Sequence, residues 1–282
     1  MSAKENKKER VEFATKKEHF EKAFRLVYQE YRRKGYCPPN PFQIRVSIYN
    51  ALPGTVTFCL WRHETLVGTA SLVLDSPVGL PMEEVYPTEI GALRKEGRKL
   101  CEVSLLALNS EIISKGILPL YFAERLRCLY HIFKPIFWYA RKTVGQTDLC
   151  IAVNPVHKVL YSSLYFEEFG GERVYQSVNG NPSIAMRLNF DRLEERSHKK
   201  TPGLHKLFLQ NGLELQNISE IFHWNLDDFR YFFLENSDAL TKLKPKQMDY
   251  LASLYPEFRL KRMFEQFNPH SAHGKISLGK CA

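Results

Sequence analysis

An acidic residue stands inside a segment whose pattern predicts a buried strand. Glu102 lies in the run from Lys99 to Leu108, where most other side chains are apolar. Because side chains alternate between the two faces of a strand, Glu102, Ser104 and Leu106 are expected to share one face. Burial disfavours the charged carboxylate and raises its pKa, so Glu102 could act as a base, directly or through water. The alternatives stay open: Glu102 forms a salt bridge with Arg98 or a helix lysine, and Ser104 satisfies backbone groups instead of substrate.

Further polar side chains could shape a binding site beside this strand. Tyr28, Tyr31 and Arg32 lie on a segment with helical spacing that ends before a proline-rich loop, although tyrosines at this spacing are also typical of a packed core. Asn154 precedes a proline, which is typical of a helix N-terminus, so its capping role comes first and a substrate contact second. Tyr161 could reach the same site through its hydroxyl group.

The charge balance favours an acidic partner. The 282-residue chain has 40 Lys and Arg against 31 Asp and Glu, a formal charge of +9. Nucleic acid, anionic lipid and an acidic carrier protein all fit this excess, but no nucleic-acid motif accompanies it. Candidate docking residues are Arg125, Arg127, Arg141 and Lys142, and a solvated helix face is the structural alternative for each.

The elements that must position these residues alternate between strand and helix patterns. We predict helices over 16–34, 82–95, 117–143 and 154–166, with a break or kink near Lys134 because Pro135 lacks an amide donor, and strands over 55–61, 66–74, 99–108, 148–153, 172–176 and 183–188. This order predicts an α/β (α+β) domain over 16–190, a mixed sheet flanked by helices. We expect a charged tail over 1–15, a helical extension over 191–267 and a disordered tail over 268–282.

Several functional classes are not favoured by the sequence. Apolar runs are interrupted by charge before the ~20 residues needed to cross a bilayer, and the N-terminus lacks a secretory signal, which predicts a cytoplasmic protein. The six cysteines are scattered singly, which favours reduced and mostly buried thiols and predicts no metal site.

Several short sequence segments, in the same order along the chain, resemble those of the N-acyl amino acid synthase family. These are bacterial acyltransferases related to the acyl-homoserine lactone synthases. The segments are 66–69, 75–82 and 97–108, with further similarity at 28–36, 152–157, Tyr161, 169–170 and 178–182. The resemblance covers roughly residues 20 to 190 and implies a GNAT-like mixed, mostly antiparallel sheet. It also implies transfer of a long-chain fatty acyl group from an acyl carrier protein thioester to the amine of an amino acid. Glu102 would then be the catalytic residue.

Two details qualify what the resemblance implies. Relatives often carry arginine directly after the Glu-x-Ser/Thr motif, but this chain has Leu105, so an arginine at that place cannot be carried over for binding the acceptor's carboxylate. No glycine-rich turn follows the strand at 109–116, which argues against CoA and favours acyl carrier protein, with no cofactor beyond its phosphopantetheine thioester. An acyltransferase acting on another amine, a basic nucleic-acid or membrane-surface binding protein, and an inactive scaffold remain alternatives.

Overall fold

The sheet has seven strands in the order β1-β2-β3-β4-β5-β7-β6, and all neighbours are antiparallel except β4 and β5. The computed structural model describes residues 9–113, 118–200, 215–241 and 243–267. The strands are β1 Glu9–Phe13, β2 Val56–Arg62, β3 Thr65–Leu74, β4 Leu100–Leu108, β5 Asp148–Val153, β6 Glu167–Tyr175 and β7 Asn181–Asn189. The predicted mixed sheet with flanking helices is confirmed.

Helices cover the sheet and extend beyond it. They are α1 Lys17–Arg33, α2 Pro87–Lys95, α3 Ser110–Ile113, α4 Leu118–Trp138, α5 Lys158–Ser162, α6 Phe190–Lys200, α7 Ile218–Ile221, α8 Leu226–Arg230, α9 Pro245–Leu254 and α10 Leu260–Phe267. Short 3₁₀ segments are Ile48–Ala51, Pro81–Glu84, Pro155–His157, Gln176–Val178 and Pro256–Phe258, and π-helical turns are Tyr139–Thr143 and Tyr231–Glu235. No helix among the described residues is long and apolar enough to span a membrane.

The edge strand β1 lies where the sequence predicts only a charged tail. Glu9–Phe13 pairs antiparallel with β2, and Phe13 stacks edge-on against Phe58 with ring centroids 5.2 Å apart. The nearly buried Glu9 carboxylate accepts hydrogen bonds from Arg62 at 2.7 Å and Arg127 at 2.8 Å. Partners distant in sequence neutralise the charges that make this segment resemble a tail.

Two predicted helix boundaries are wrong. α4 continues through Pro135 and changes to a π-helical turn only at Tyr139, so the expected break near Lys134 does not occur. The helix expected over 154–166 ends at Ser162, and Gly170 lies within β6. A Cβ atom at Gly170 would lie 2.8 Å from Cδ1 of Tyr86, so glycine permits the close approach of this strand to the ring.

The C-terminal helices share a core with α1. Phe20 of α1 packs on Trp224 with ring centroids 4.5 Å apart, and Nε1 of Trp224 donates a hydrogen bond to the carbonyl oxygen of Asn50 at 3.0 Å. Tyr255 donates to the carbonyl oxygen of Ala51 at 2.6 Å. Trp224, Tyr255 and their neighbours therefore pack over the α1 face of the sheet, whereas Leu193 of α6 and Ile218 of α7 pack in the core on the α4 side. The tail expected over 268–282 lies outside the described residues.

Candidate active site

A cavity of about 810 Å³ opens where the two central parallel strands separate. β4 pairs with β5 only over Leu100–Glu102 and Asp148–Cys150, and beyond these residues both strands line the cavity. Its volume lies within the roughly 300–1,000 Å³ typical of ligand pockets. The gap in the sheet gives a substrate access to the backbone of both strands.

Glu102 lies at this gap with its side chain almost completely buried. The residue is 2% exposed, and its Oε2 accepts a hydrogen bond from the backbone amide of Met82 at 2.9 Å. Burial raises the pKa of Glu102 to about 8, with a contribution from the nearby charge of Glu83, while the Met82 amide opposes the rise. Such a carboxyl group can take up and release a proton near neutral pH.

The salt bridge considered for Glu102 is not formed. Arg98 instead contacts Asp148 at 2.5 Å and Asp191 at 3.2 Å. Among the described residues, Glu102 has no ion-pair partner within 4.0 Å. Its carboxylate therefore keeps a pKa set mainly by burial.

A β-bulge in β4 changes which side chains accompany Glu102. Ser104 pairs with Ser71 and Ala107 pairs with Thr69, so neither Leu105 nor Leu106 has a partner in the β3 register, and Leu105 has a φ of 52°. Leu105 packs in the α1-side core, whereas Leu106 packs against the α4-side core. The expectation that Leu106 shares a face with Glu102 is therefore wrong, because the extra residue reverses the alternation. Glu102, Ser104, Leu105 and Leu106 all line the cavity.

Three tyrosines surround the region of Glu102. Burial raises the pKa of Tyr31 to about 12, and burial likewise raises the pKa of Tyr49 and Tyr175; a charge on Glu102 adds to each rise. The hydroxyl group of Tyr175 donates to the carbonyl oxygen of Pro81 at 2.9 Å, in the same turn that presents the Met82 amide. Tyr31 and Ser104 both line the cavity.

Tyr28 and Arg32 do not line the cavity among the described residues. The hydroxyl group of Tyr28 accepts a hydrogen bond from the backbone amide of Asn40 at 3.2 Å, and Arg32 donates to the carbonyl oxygen of Cys37 at 3.1 Å. Both side chains hold the proline-rich loop on α1. In the described part of the chain, both side chains therefore stabilise the position of this loop.

Arg45 lines the cavity and was not identified from the sequence. Its guanidinium lies 5.1 Å from the ring centroid of Tyr31, and Nη2 donates to the carbonyl oxygen of Ser177 at 2.5 Å. Its Nε atom is buried and has no hydrogen-bond partner among the described residues. No motif marks this position, so only the folded structure shows that an arginine faces the cavity beside Tyr31.

Asn154 and Tyr161 line the other strand's side of the cavity. The side chain of Asn154 accepts a hydrogen bond from the backbone amide of Val156 at 3.1 Å, which is the predicted capping contact. Tyr161 is 6% exposed, and burial raises the pKa of its hydroxyl group. Apolar side chains from β4, α4 and α5 form a lobe of the cavity next to Tyr161: Leu106, Leu108, Leu129, Phe133 and Leu160.

The four predicted docking cations occupy two kinds of environment. Arg127 contacts Glu9 and Glu124, Arg141 contacts Asp191 and Glu194, and Lys142 contacts Glu194. Arg125 instead lines the cavity and has no hydrogen-bond or ion-pair partner among the described residues. Its charge is therefore not neutralised by a neighbouring carboxylate.

One group of side chains in the described part of the chain is close enough to hold a metal ion: Glu9, Glu124 and Cys128. Arg62 contacts both of these carboxylates, and burial raises the pKa of the Cys128 thiol to about 11. A thiolate is the form that binds metal, so this cluster is better described as a buried ion-pair network. All five described cysteines are free and buried, as predicted.

Known structures share the arrangement of sheet and helices. The structure of FeeM, an N-acyl amino acid synthase from uncultured soil microbes, matches with a TM-score of 0.57 and 29% identity over 68% of this chain and 95% of that chain. The acyl-homoserine lactone synthase LasI matches in fold, with a TM-score of 0.53 and 15% identity over 75% of this chain and 100% of that chain. No curated protein sequence matches the chain significantly.

The mixed, mostly antiparallel sheet with its flanking helices is an acyltransferase fold that the chain shares with the N-acyl amino acid synthase FeeM. The family profile of the N-acyl amino acid synthase FeeM matches residues 22–189, more than half of the chain. The chain belongs to this family. The predicted family resemblance is thereby confirmed.

Proposed function

We propose that this enzyme transfers a long-chain fatty acyl group from an acyl carrier protein thioester to the amine of an amino acid. The observation that carries the proposal is the buried Glu102, which lies in the gap between β4 and β5 and has no cationic partner in the part of the chain that the structure describes. Aminolysis of a thioester requires a neutral amine and a place for its proton. A carboxyl group with a pKa of about 8 suits that task at neutral pH.

The reaction has a consistent path for its protons. Glu102 takes a proton from the acceptor's ammonium group, directly or through water, and the free amine attacks the thioester carbonyl. Backbone amides at the bulge of Leu105 and Leu106, which lack β3 register partners, are candidates to stabilise the oxyanion. When the C–S bond breaks, the attacking nitrogen loses its second proton to the departing thiolate, directly or through water, and the products are an amide and a free thiol.

Arg45 is proposed to hold the acceptor's carboxylate. Its buried Nε has no hydrogen-bond partner among the described residues, and its guanidinium contacts Tyr31, the tyrosine whose pKa also responds to Glu102. An α-amino acid carries its amine and carboxylate on one carbon, so the two groups must be bound close together. Arginine presents paired donors that match a carboxylate. Arg45 would thus supply the contact that Leu105 cannot make.

The apolar lobe is proposed to bind the fatty chain. Leu106, Leu129 and Phe133 face this part of the cavity, and Leu129 and Phe133 are 2% and 0% exposed. Burying a methylene group contributes about 0.8 kcal/mol, so a long chain gains much of its affinity here. Polar groups of the acceptor are matched by the opposite side of the cavity.

A carrier protein is the preferred donor because the helix after β4 offers little to a pyrophosphate. The backbone amide and hydroxyl of Ser110 both donate to Oε1 of Glu30 at 3.0 Å, and Asn109 accepts from the amide of Glu111 at 3.1 Å. A carboxylate therefore occupies the donors that CoA would need at a helix N-terminus, and its charge would repel an anion. The basic excess of the chain suits an acidic carrier protein.

The test incubates the purified enzyme with long-chain acyl carrier protein and pooled amino acids, and mass spectrometry detects N-acyl products. Amines without a carboxylate are included as competing acceptors, since the related fold of LasI leaves acyl transfer to another amine as the second candidate. Glu102→Gln should greatly reduce product, while Glu64→Gln, at a 91% exposed side chain, should not. Absence of product with every donor and acceptor would refute the proposal.

A further inference from the structure

A group of cationic side chains gathers at one end of the cavity. Lys34 follows the C-terminus of α1, Arg125 lies on α4, and His157 ends the 3₁₀ turn after β5. All three residues line the cavity. Three separate elements thus bring two cationic groups and the imidazole of His157 to the same cavity.

No carboxylate among the described residues forms an ion pair with Lys34 or Arg125. Within the described ranges, neither the Lys34 nor the Arg125 side chain has a hydrogen bond or an ion pair, and the carboxylate of Glu30, which lines the same cavity, is already bound by Ser110 and by Arg33 at 2.5 Å. Arg127, two residues after Arg125, is by contrast paired with two carboxylates. Lys34 and Arg125 therefore differ from Arg127 in having no carboxylate partner among the described residues.

The cations also repel one another. Burial and the charges of Arg125 and Lys34 lower the pKa of His157 to about 4, so its imidazole is neutral at physiological pH. Burial and Arg125 lower the pKa of Lys34. Like charges kept together in a cavity without a counter-charge are unfavourable in the empty protein, and an anionic ligand would remove this cost.

We propose that Lys34 and Arg125 bind the phosphate of the donor's phosphopantetheine arm, with His157 available as an additional hydrogen-bonding group. This inference rests on the proposed function, since it assigns one end of the donor. Arg125 and Lys34 line the cavity, and the acceptor's carboxylate is already assigned to Arg45, so these two cations are left for the donor's phosphate. The arm would run from this end, between β4 and β5, to the bulge.

The phosphate is common to acyl carrier protein and CoA, so small fragments provide the cleanest probe. Binding of phosphopantetheine and of pantetheine, which lacks the phosphate, is measured by calorimetry for the full-length wild type and for Arg125→Ala, Lys34→Ala and the double variant. Arg192→Ala is the control, because Arg192 is 61% exposed and does not line the cavity. Circular dichroism verifies that each variant is folded.

We expect the wild type and the control to bind phosphopantetheine at least about tenfold more tightly than pantetheine, as for a charge-assisted contact. Arg125→Ala and the double variant should lose this preference and keep their affinity for pantetheine. Equal weakening of both ligands, or no preference in the wild type, would overturn the inference. These binding results do not require turnover, so they are distinguishable from failure of the proposed reaction.

The two sources of the phosphate are separated by kinetics. Acyl carrier protein and acyl-CoA are compared as donors for the wild type and Arg125→Ala. A loss of kcat/KM confined to the carrier protein identifies it as the source, and a loss confined to acyl-CoA identifies CoA. A loss with neither donor would contradict phosphate binding by Arg125.

Discussion

Replacing Glu102 by glutamine should reduce activity and increase stability at alkaline pH. The folded-state pKa of Glu102, about 8, is raised above its ordinary value of 4.5. Folding therefore favours the protonated form of Glu102. The contribution of this preference to the free energy of unfolding is fully present below pH 4.5 and is lost as pH rises towards 8. With about 1.4 kcal/mol per pH unit, the loss reaches up to about 5 kcal/mol. Glutamine carries no charge, and its carbonyl oxygen can still accept from the Met82 amide.

The assay is thermal and denaturant unfolding at pH 5 and pH 8.5, in parallel with turnover. Wild-type stability should fall across this interval by more than that of Glu102→Gln, and the variant should be the more stable protein at the higher pH. Wild-type kcat/KM should rise roughly tenfold per pH unit until pH approaches about 8, because only the ionised carboxylate acts as base. Glu102→Gln should lose this pH dependence and about 10²–10⁴ in rate.

A purely structural role for Glu102 makes the opposite prediction. If the carboxylate were held by an unrecognised ion pair, glutamine would leave a buried cation without its partner and destabilise the protein by about 3 kcal/mol or more. A variant that is less stable than the wild type at pH 8.5, yet fully active, would refute the reasoning. Glu64→Gln, at an exposed site, should change neither property.

Three further substitutions test other parts of the site and fold. Arg45→Ala should raise the KM for the acceptor by roughly tenfold or more and leave the KM for the donor unchanged, because it removes a charged hydrogen-bonding partner. Arg32→Ala, outside the cavity lining, should leave the acceptor KM unchanged. Steady-state kinetics with each substrate varied in turn measures both values. Leu106→Trp should fill the apolar lobe and shift the preferred donor to shorter acyl chains, as measured by competition between chain lengths; an unchanged preference would contradict the assignment of the lobe. Trp224→Ala should lower the free energy of unfolding by about 3–5 kcal/mol and keep a single unfolding transition, because Trp224 lies in the core shared with α1. A separate early transition would show that the C-terminal helices unfold on their own.

Local patterns predicted the elements that carry most of the site. The hairpin β2–β3, the strand around Glu102 and the cap at Asn154 all depend on spacing and on turn residues within a few positions. Apolar alternation and a proline after a capping side chain act through short-range geometry, so a sequence is enough to find them. The acidic residue in an apolar strand was visible for the same reason.

Contacts between distant segments explain what the sequence did not predict. Strand β1 is polar, and its place in the sheet depends on Arg62, which lies 53 residues from Glu9. The bulge at Leu105 has a positive φ at a residue that normally avoids it, so only the surrounding sheet and helices can impose it. Arg45 and Lys34 became site candidates only when folding brought their segments to the cavity that Arg125, a docking candidate from the sequence, also lines.

The charges in the cavity are arranged so that the empty site is incomplete. Other buried carboxylates of this fold are neutralised by arginines, as Asp148 is by Arg98 and Arg187, but Glu102 is not. Among the described residues, the cavity's own cations, at Arg45 and at Lys34 with Arg125, likewise form no ion pair with a carboxylate. An acceptor with an ammonium and a carboxylate group and a donor with a phosphate would supply the missing charges in the proposed assignment. Each substrate would thus offset the cost of holding uncompensated groups out of water, and the free energy lost in the empty protein would be recovered as the substrates bind.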